Sequence, residues 1–214
     1  VWQRLFNELK DQGFMVITVA MDSRGVDAVR GIIEKAKTTY TSLVDRDHVV
    51  SELYNMVNVP QAVWIDEEGM IVRPTEVSGA AISLNLKKMR RTREIYCDAV
   101  RDWVAKGRDS EHVYSKAEAR ERMPEFTEDI ATAHANFHLG QHLWNAGNQK
   151  EGAAFLQQAV DLNPDSWNFF RQMKNLKHVL GSGGPDFMLR VRQARKAGKE
   201  YYPLPDLTTM DEVS

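Results

Sequence analysis

The sequence predicts an α/β layered sheet followed by an all-helical region. Three observations carry this: a β-branched apolar run at Phe14–Ala20, two short apolar runs around an acidic turn at Ala62–Ile65 and Met70–Val72, and a helical period from Thr127 onward. Val1–Gln12 comes first, with apolar residues at Val1, Trp2, Leu5, Phe6 and Leu9, the spacing of a helix with one buried face. Gly13 then stands where a left-handed residue ends a helix. Phe14–Ala20 is apolar throughout except at Thr18 and is bounded by Gly13 and Asp22, which predicts a strand covered on both faces, as in a parallel sheet. Val26–Thr38 is helical by period, Thr41–Val44 is a short strand and Val49–Tyr54 a short helix. Asp66-Glu67-Glu68-Gly69 joins the last two strands as a hairpin turn, with glycine where a positive φ is needed. The resulting β-α-β-α-β-β order is that of a layered α/β sheet.

Downstream the chain turns helical. A helix is expected over Ile95–Val104. The residues Leu139, Gly140, Leu143, Gly147, Gly152, Leu156, Ala159, Leu162 and Pro164 then resemble one tetratricopeptide (TPR) repeat. Small residues sit where two helices cross, large ones fill the layer between them, and proline closes the second helix. Asp165–Leu180 continues as a further helix with Trp167, Phe170 and Met173 facing inward. GSGGP at 181–185 is a linker or turn, followed by a helix over Asp186–Ala197 and an extended YYPLPDL tail. The predicted organisation is an α/β unit at 1–80, a helical connector at 81–125, a TPR-like region at 126–180, and a C-terminal helix with tail at 181–214.

Composition sets the outer bounds. The 214 residues are 43% hydrophobic and 27% charged, ordinary for a soluble globular chain, and the net charge of −2 gives no global attraction to nucleic acid or anionic membrane. No apolar stretch approaches the roughly 18 residues needed to cross a bilayer, and no signal-peptide pattern is visible. The single cysteine, Cys97, excludes an internal disulfide framework. That leans toward a reducing compartment such as the cytoplasm, while an upstream export signal stays open.

The segment Phe14–Pro74 reads FMVITVAMD, a helix, SLVDRD, a helix with Tyr54, and then VNVPQAVWIDEEGMIVRP. It resembles the C-terminal two-thirds of a thioredoxin-like redoxin domain, of the peroxiredoxin and TlpA/ResA-type superfamily. The resemblance implies an incomplete thioredoxin-like α/β domain lacking its first central strand, with a TPR-like all-α domain behind it. It further implies that Pro60 follows a cis peptide bond, and that Val59 offers its backbone N–H and C=O to an extended substrate. In this family the redox motif, Cys-x-x-Cys or a variant, opens the helix ahead of the FMVITVA-type strand. Here that helix begins at Val1, so the resemblance puts the nucleophilic Cys or Sec, with its strand, upstream of Val1. The expectation is the downstream portion of a thiol–disulfide or peroxide oxidoreductase. Its substrate would be a protein thiol, a disulfide or a peroxide, and a protein partner would bind the helical region. Residues 1–214 alone are expected to be redox-inactive. The alternative is a non-catalytic interaction module that uses Trp144, Trp167, Phe169 and a histidine stripe as a docking surface.

No catalytic residue and no cofactor are expected within the chain itself. Cys97 has no basic motif arranged around it at a helix start and reads as a buried small residue. His134, His138 and His142 recur at i, i+4 and i+8 on one helix face; the first and third are separated by roughly 12 Å of helix rise and cannot share one ion. With no carboxylate between them and no H-E-x-x-H pattern, a packed or partner-facing stripe is expected rather than a metal site. His48 and His178 read as isolated surface or core residues. Asp22 reads as a loop start, and Glu67–Glu68 as solvated turn charge. The basic run Lys87, Lys88, Arg90, Arg91 and Arg93 has no interleaved aromatic for base stacking and reads as a solvated helix face or a partner contact.

Overall fold

A computed structural model describes residues 1–79, 86–177, 184–203 and 206–207. His178, most of the GSGGP turn, and Leu204 and Pro205 of the tail lie outside the described residues, as do the side chains of Lys87 and Lys88. The architecture is mixed α/β. Helix α1 (Trp2–Leu9) precedes strand β1 (Ile17–Met21), and α2 (Val26–Ala36), β2 (Thr41–Asp45) and α3 (Val49–Leu53) lead to the hairpin of β3 (Gln61–Ile65) and β4 (Ile71–Val77). Helices α4 (Leu86–Lys106), α5 (Lys116–Glu121), α6 (Glu128–Asn145), α7 (Gln149–Leu162), α8 (Trp167–Lys177) and α9 (Pro185–Lys196) follow.

The strands divide into two sheets. β1 and β2 pair in parallel from Ile17↔Thr41 to Met21↔Asp45, and β3 and β4 pair antiparallel from Gln61↔Val77 to Ile65↔Ile71. Among the described residues each sheet has two strands only. The expectation that the Phe14 strand is covered on both faces fails: no residue of β1 is fully buried, Ile17 is 55% exposed, and Met15 ahead of it is 69% exposed. The physical reason lies in where α1 packs. Its buried residues Leu5 and Leu9 join Trp64 and Val72 of the hairpin and Tyr96 and Val100 of α4 in one core, so β1 receives β2 along one edge but little cover on its faces.

That first core is aromatic. The Trp64 indole N–H donates to the Tyr96 hydroxyl (2.8 Å), and Trp103 stacks on the Trp64 ring at 5.0 Å. Arg73 of β4 is buried beside them, where Glu76 accepts from its guanidinium at 2.7 Å. β4 runs to Val77, five residues beyond the predicted end at Val72, and the Tyr114 N–H donates to the Val72 carbonyl, so a segment after α4 closes over the strand. α4 begins at Leu86 rather than Ile95, so the basic run is helical, and Arg91 pairs loosely with Glu94 (3.8 Å). α5 was not anticipated. Its start carries a capping box, with the Ser115 hydroxyl accepting from the Glu118 N–H and the Glu118 carboxylate accepting from the Ser115 N–H.

The second core lies between α6, α7 and α8, where Ala133, Phe137, Leu156, Ala159, Phe169 and Met173 are buried together. Gly140 and Gly152 set the approach of α6 to α7. A Cβ built on Gly152 would stand 2.8 Å from the Gly140 carbonyl oxygen and from the Trp144 nitrogen, so the two backbones meet without an intervening side chain. α8 fastens the two halves together. Gln172 donates to the Met21 carbonyl at the end of β1, and the Trp167 N–H and Asn168 side chain donate to the Val57 and Met56 carbonyls on the loop entering β3.

Candidate functional site

The loop from Val57 to Pro60 is held by its own polar groups and by the tail. The Val59–Pro60 peptide is cis. Asn58 is buried; its side-chain oxygen accepts from the Val59 N–H (2.8 Å) and its amide donates to the Tyr201 carbonyl (2.8 Å). The Tyr202 hydroxyl donates to the Val59 carbonyl at 2.8 Å, and burial raises the Tyr202 phenol above its ordinary value, keeping that proton in place. Both backbone groups of Val59 are therefore engaged within the chain, one by Asn58 and one by the tail. Pro60 accepts from the Ser78 N–H through its carbonyl and begins the hairpin. Beside this loop, Gln61, Trp167, Arg190, Tyr201 and Pro203 line a groove of about 470 Å³.

No protein-family model matches this chain, and neither curated proteins nor solved structures give a match.

At the carboxyl ends of β1 and β2 lies a buried polar seam. Asp22 ends β1 and turns back on the loop, accepting from the Arg24 backbone N–H (3.0 Å) and from its guanidinium (2.9 and 2.7 Å), which fits its reading as a loop start. Asp45 ends β2 and caps α3, accepting from the N–H groups of Val49 and Val50 at 2.9 and 2.8 Å. Between them Ser23 Oγ and His48 Nε2 are 3.2 Å apart. Such a pair suggests a nucleophile and its base, but the arrangement is closed: Gln141 of α6 donates to Ser23 Oγ at 2.6 Å, Gln172 of α8 accepts from the Ser23 N–H, and both residues of the pair are buried. Burial holds the His48 imidazole down at about 4, against the opposing pull of Asp45, so the ring is neutral near pH 7. The seam is a fastening between the strand ends and the helices.

The histidine stripe of α6 divides as its spacing requires. His142 is exposed near the helix end, whereas His134 and His138 converge with Glu52 of α3, one donor atom of each lying within 4.8 Å of the others. His138 Nε2 and Glu52 Oε2 are 2.8 Å apart. His134 is 4% exposed, stacks on Phe126 and meets Phe169 edge-on, and burial lowers its pKa. Its Nδ1 is buried without a hydrogen-bond partner. The sequence reading missed Glu52, which supplies the carboxylate that the helix itself lacks. The His-x-x-x-His spacing was visible, but nothing local announced a third donor 82 positions before His134.

Cys97 sits in the first core, 3% exposed, and burial pushes its thiol upward, away from a reactive thiolate. The docking surface expected from Trp144, Trp167, Phe169 and the histidines does not form as such. Trp167, Phe169 and His134 are buried: Phe169 in the second core, His134 against Phe126 and Phe169, and Trp167 against Phe187 of α9 and Tyr201 of the tail.

Proposed function

We propose that this chain is the downstream part of a thioredoxin-like thiol–disulfide or peroxide oxidoreductase. Its nucleophilic Cys or Sec would lie on a strand and helix outside residues 1–214, and its TPR-like helices would recruit a protein partner. One observation carries the reading: among the described residues each sheet has two strands, so each strand pairs along a single edge. β1 is apolar yet open, and β3 begins at the Val59–Pro60 loop. An extended segment paired along the free edge of β1 would satisfy its backbone groups, and its side chains would flank Ile17 on the same face of the sheet. The buried, proton-retaining Cys97 supports the expectation that residues 1–214 alone have no redox turnover.

The test is to express the protein from its native reading frame, with whatever that frame encodes ahead of Val1, and to measure insulin-disulfide reduction and peroxide consumption. Activity is expected in that product and none in residues 1–214. The reading fails if the upstream codons supply no Cys or Sec on a strand–helix unit, or if residues 1–214 turn over and Cys97→Ala abolishes it. A second reading, a non-catalytic interaction module, is favoured by the Tyr202 bond to the Val59 carbonyl, which fills from within the position a substrate backbone would take.

A further inference from the structure

Independently of any redox role, the cluster at the junction of α3 and α6 has the chemistry of a cation site. Glu52, His134 and His138 bring one carboxylate and two imidazoles within 4.8 Å of one another. Bonds of about 2.0–2.2 Å at a tetrahedral angle place donors roughly 3.4 Å apart. Small side-chain rotations would bring this set to that spacing: the Glu52–His138 pair opens from 2.8 Å, and the His134 ring turns in. The two histidines lie one helical turn apart on α6, so a single rigid element fixes both.

Packing alone accounts for His138, which has Glu52 as a partner, but not for His134. Its ring is enclosed by Phe126 and Phe169, a setting that a purely apolar side chain would fill without cost. Instead it carries a buried nitrogen with no partner, a condition that costs about 1–3 kcal/mol. Of the three residues, Glu52 lines a second groove of about 360 Å³, together with Phe126, Tyr54, Asn55, Pro74 and Met123.

We propose that Glu52, His134 and His138 bind a divalent first-row transition cation of the zinc type, with a fourth position left to water or a small ligand. The His₂Glu donor set suits zinc, and three protein donors with one open position is the arrangement of reactive rather than purely structural zinc.

The experiment is calorimetric titration of chelator-treated residues 1–214 with zinc chloride, alongside the visible spectrum of the cobalt(II) form. One equivalent of zinc and the d–d bands of four-coordinate cobalt are expected. Glu52→Gln and His138→Gln, both at half-exposed positions, should each weaken zinc roughly 100-fold. His142→Gln should leave it unchanged. Histidine ring ¹H–¹⁵N spectra of the unsubstituted chain give a readout that does not depend on any variant folding: zinc should shift His134 and His138 and leave His142 in place. The proposal is overturned by no stoichiometric uptake, by equal affinity in the folded Glu52→Gln and His138→Gln variants, or by zinc signals at His142 instead.

Discussion

The α6–α7–α8 layer and the β1–β2 pair draw on the same kinds of side chain and end in opposite states. In the helical layer Phe137, Leu156 and Ala159 are wholly buried, and Gly140 and Gly152 bring the backbones into direct contact. Ile17 and Leu43 of the parallel pair are exposed, and Met15 just ahead of β1 and Ile32 of the neighbouring α2 with them. Composition does not separate the two regions; the supply of partners does. A helix satisfies its own backbone and needs only a face to pack on, whereas a strand needs a neighbour along each edge as well as cover on each face. The helical layer contains its own complement. Among the described residues the parallel pair does not, and its unpaired edges are the ground on which an extended partner segment is proposed.

The widest separation between the regions should appear on truncating a core ring. Phe137 stacks on Phe169 at 4.6 Å and meets His48 edge-on at 5.0 Å, so Phe137→Ala leaves a cavity bounded by both halves of the protein. A loss of about 3–5 kcal/mol is expected from urea-denaturation midpoints. A loss below about 1 kcal/mol would mean that the helical layer is not the stabilising region.

The seam that joins the regions should make stability depend on pH. The His48 imidazole titrates at about 4 in the folded chain and near its ordinary value of 6.5 when unfolded. Between those values the unfolded chain takes up a proton that the folded chain refuses. The contribution is therefore complete above about pH 6.5 and is lost as pH falls toward 4, amounting to roughly 3 kcal/mol. Asp45, Asp22 and Asp47 act on the ring in the opposite sense, and His138 reinforces the depression. His134, lowered as well, adds to the loss in the same direction. Urea midpoints across that window should fall with pH in the natural chain and flatten in His48→Gln; an equal slope in both would remove His48 as the cause.

Much of this organisation was legible in the residues, and the gaps have physical causes. Period and punctuation located the elements: Gly13, at φ 80°, ends the first helical segment, Gly69, at φ 78°, completes the acidic turn, and Trp167, Phe170 and Met173 face inward as their spacing requires. The cis peptide at Val59–Pro60 followed from the resemblance and not from the spacing. The capping box at Ser115 and Glu118 is a legible local signal, but the six-residue helix behind it is too short to show a period. The exposure of β1 was not readable, since an apolar run reports what a strand would bury, not whether anything covers it. Glu52 was hidden for a related reason: a site assembled from α3 and α6 depends on tertiary approach, and only its helical half leaves a sequence pattern.

The smallest expected effect is the most informative about the open strand. Ile17 is more than half exposed, so Ile17→Ala removes little area from the folded interior, and residues 1–214 should lose only about 0.5 kcal/mol. If an extended segment covers β1 in a longer product of the native reading frame, the same substitution there empties a buried position and should cost about 2–4 kcal/mol. The ratio of the two losses, measured by urea denaturation under identical conditions, therefore reports whether β1 acquires a neighbour, without reference to any catalytic assay. Equal losses would leave β1 a solvent-facing strand in both proteins and remove the structural ground for an inserted segment. A several-fold difference would place that segment against Ile17 even if its chemistry proved to be other than redox.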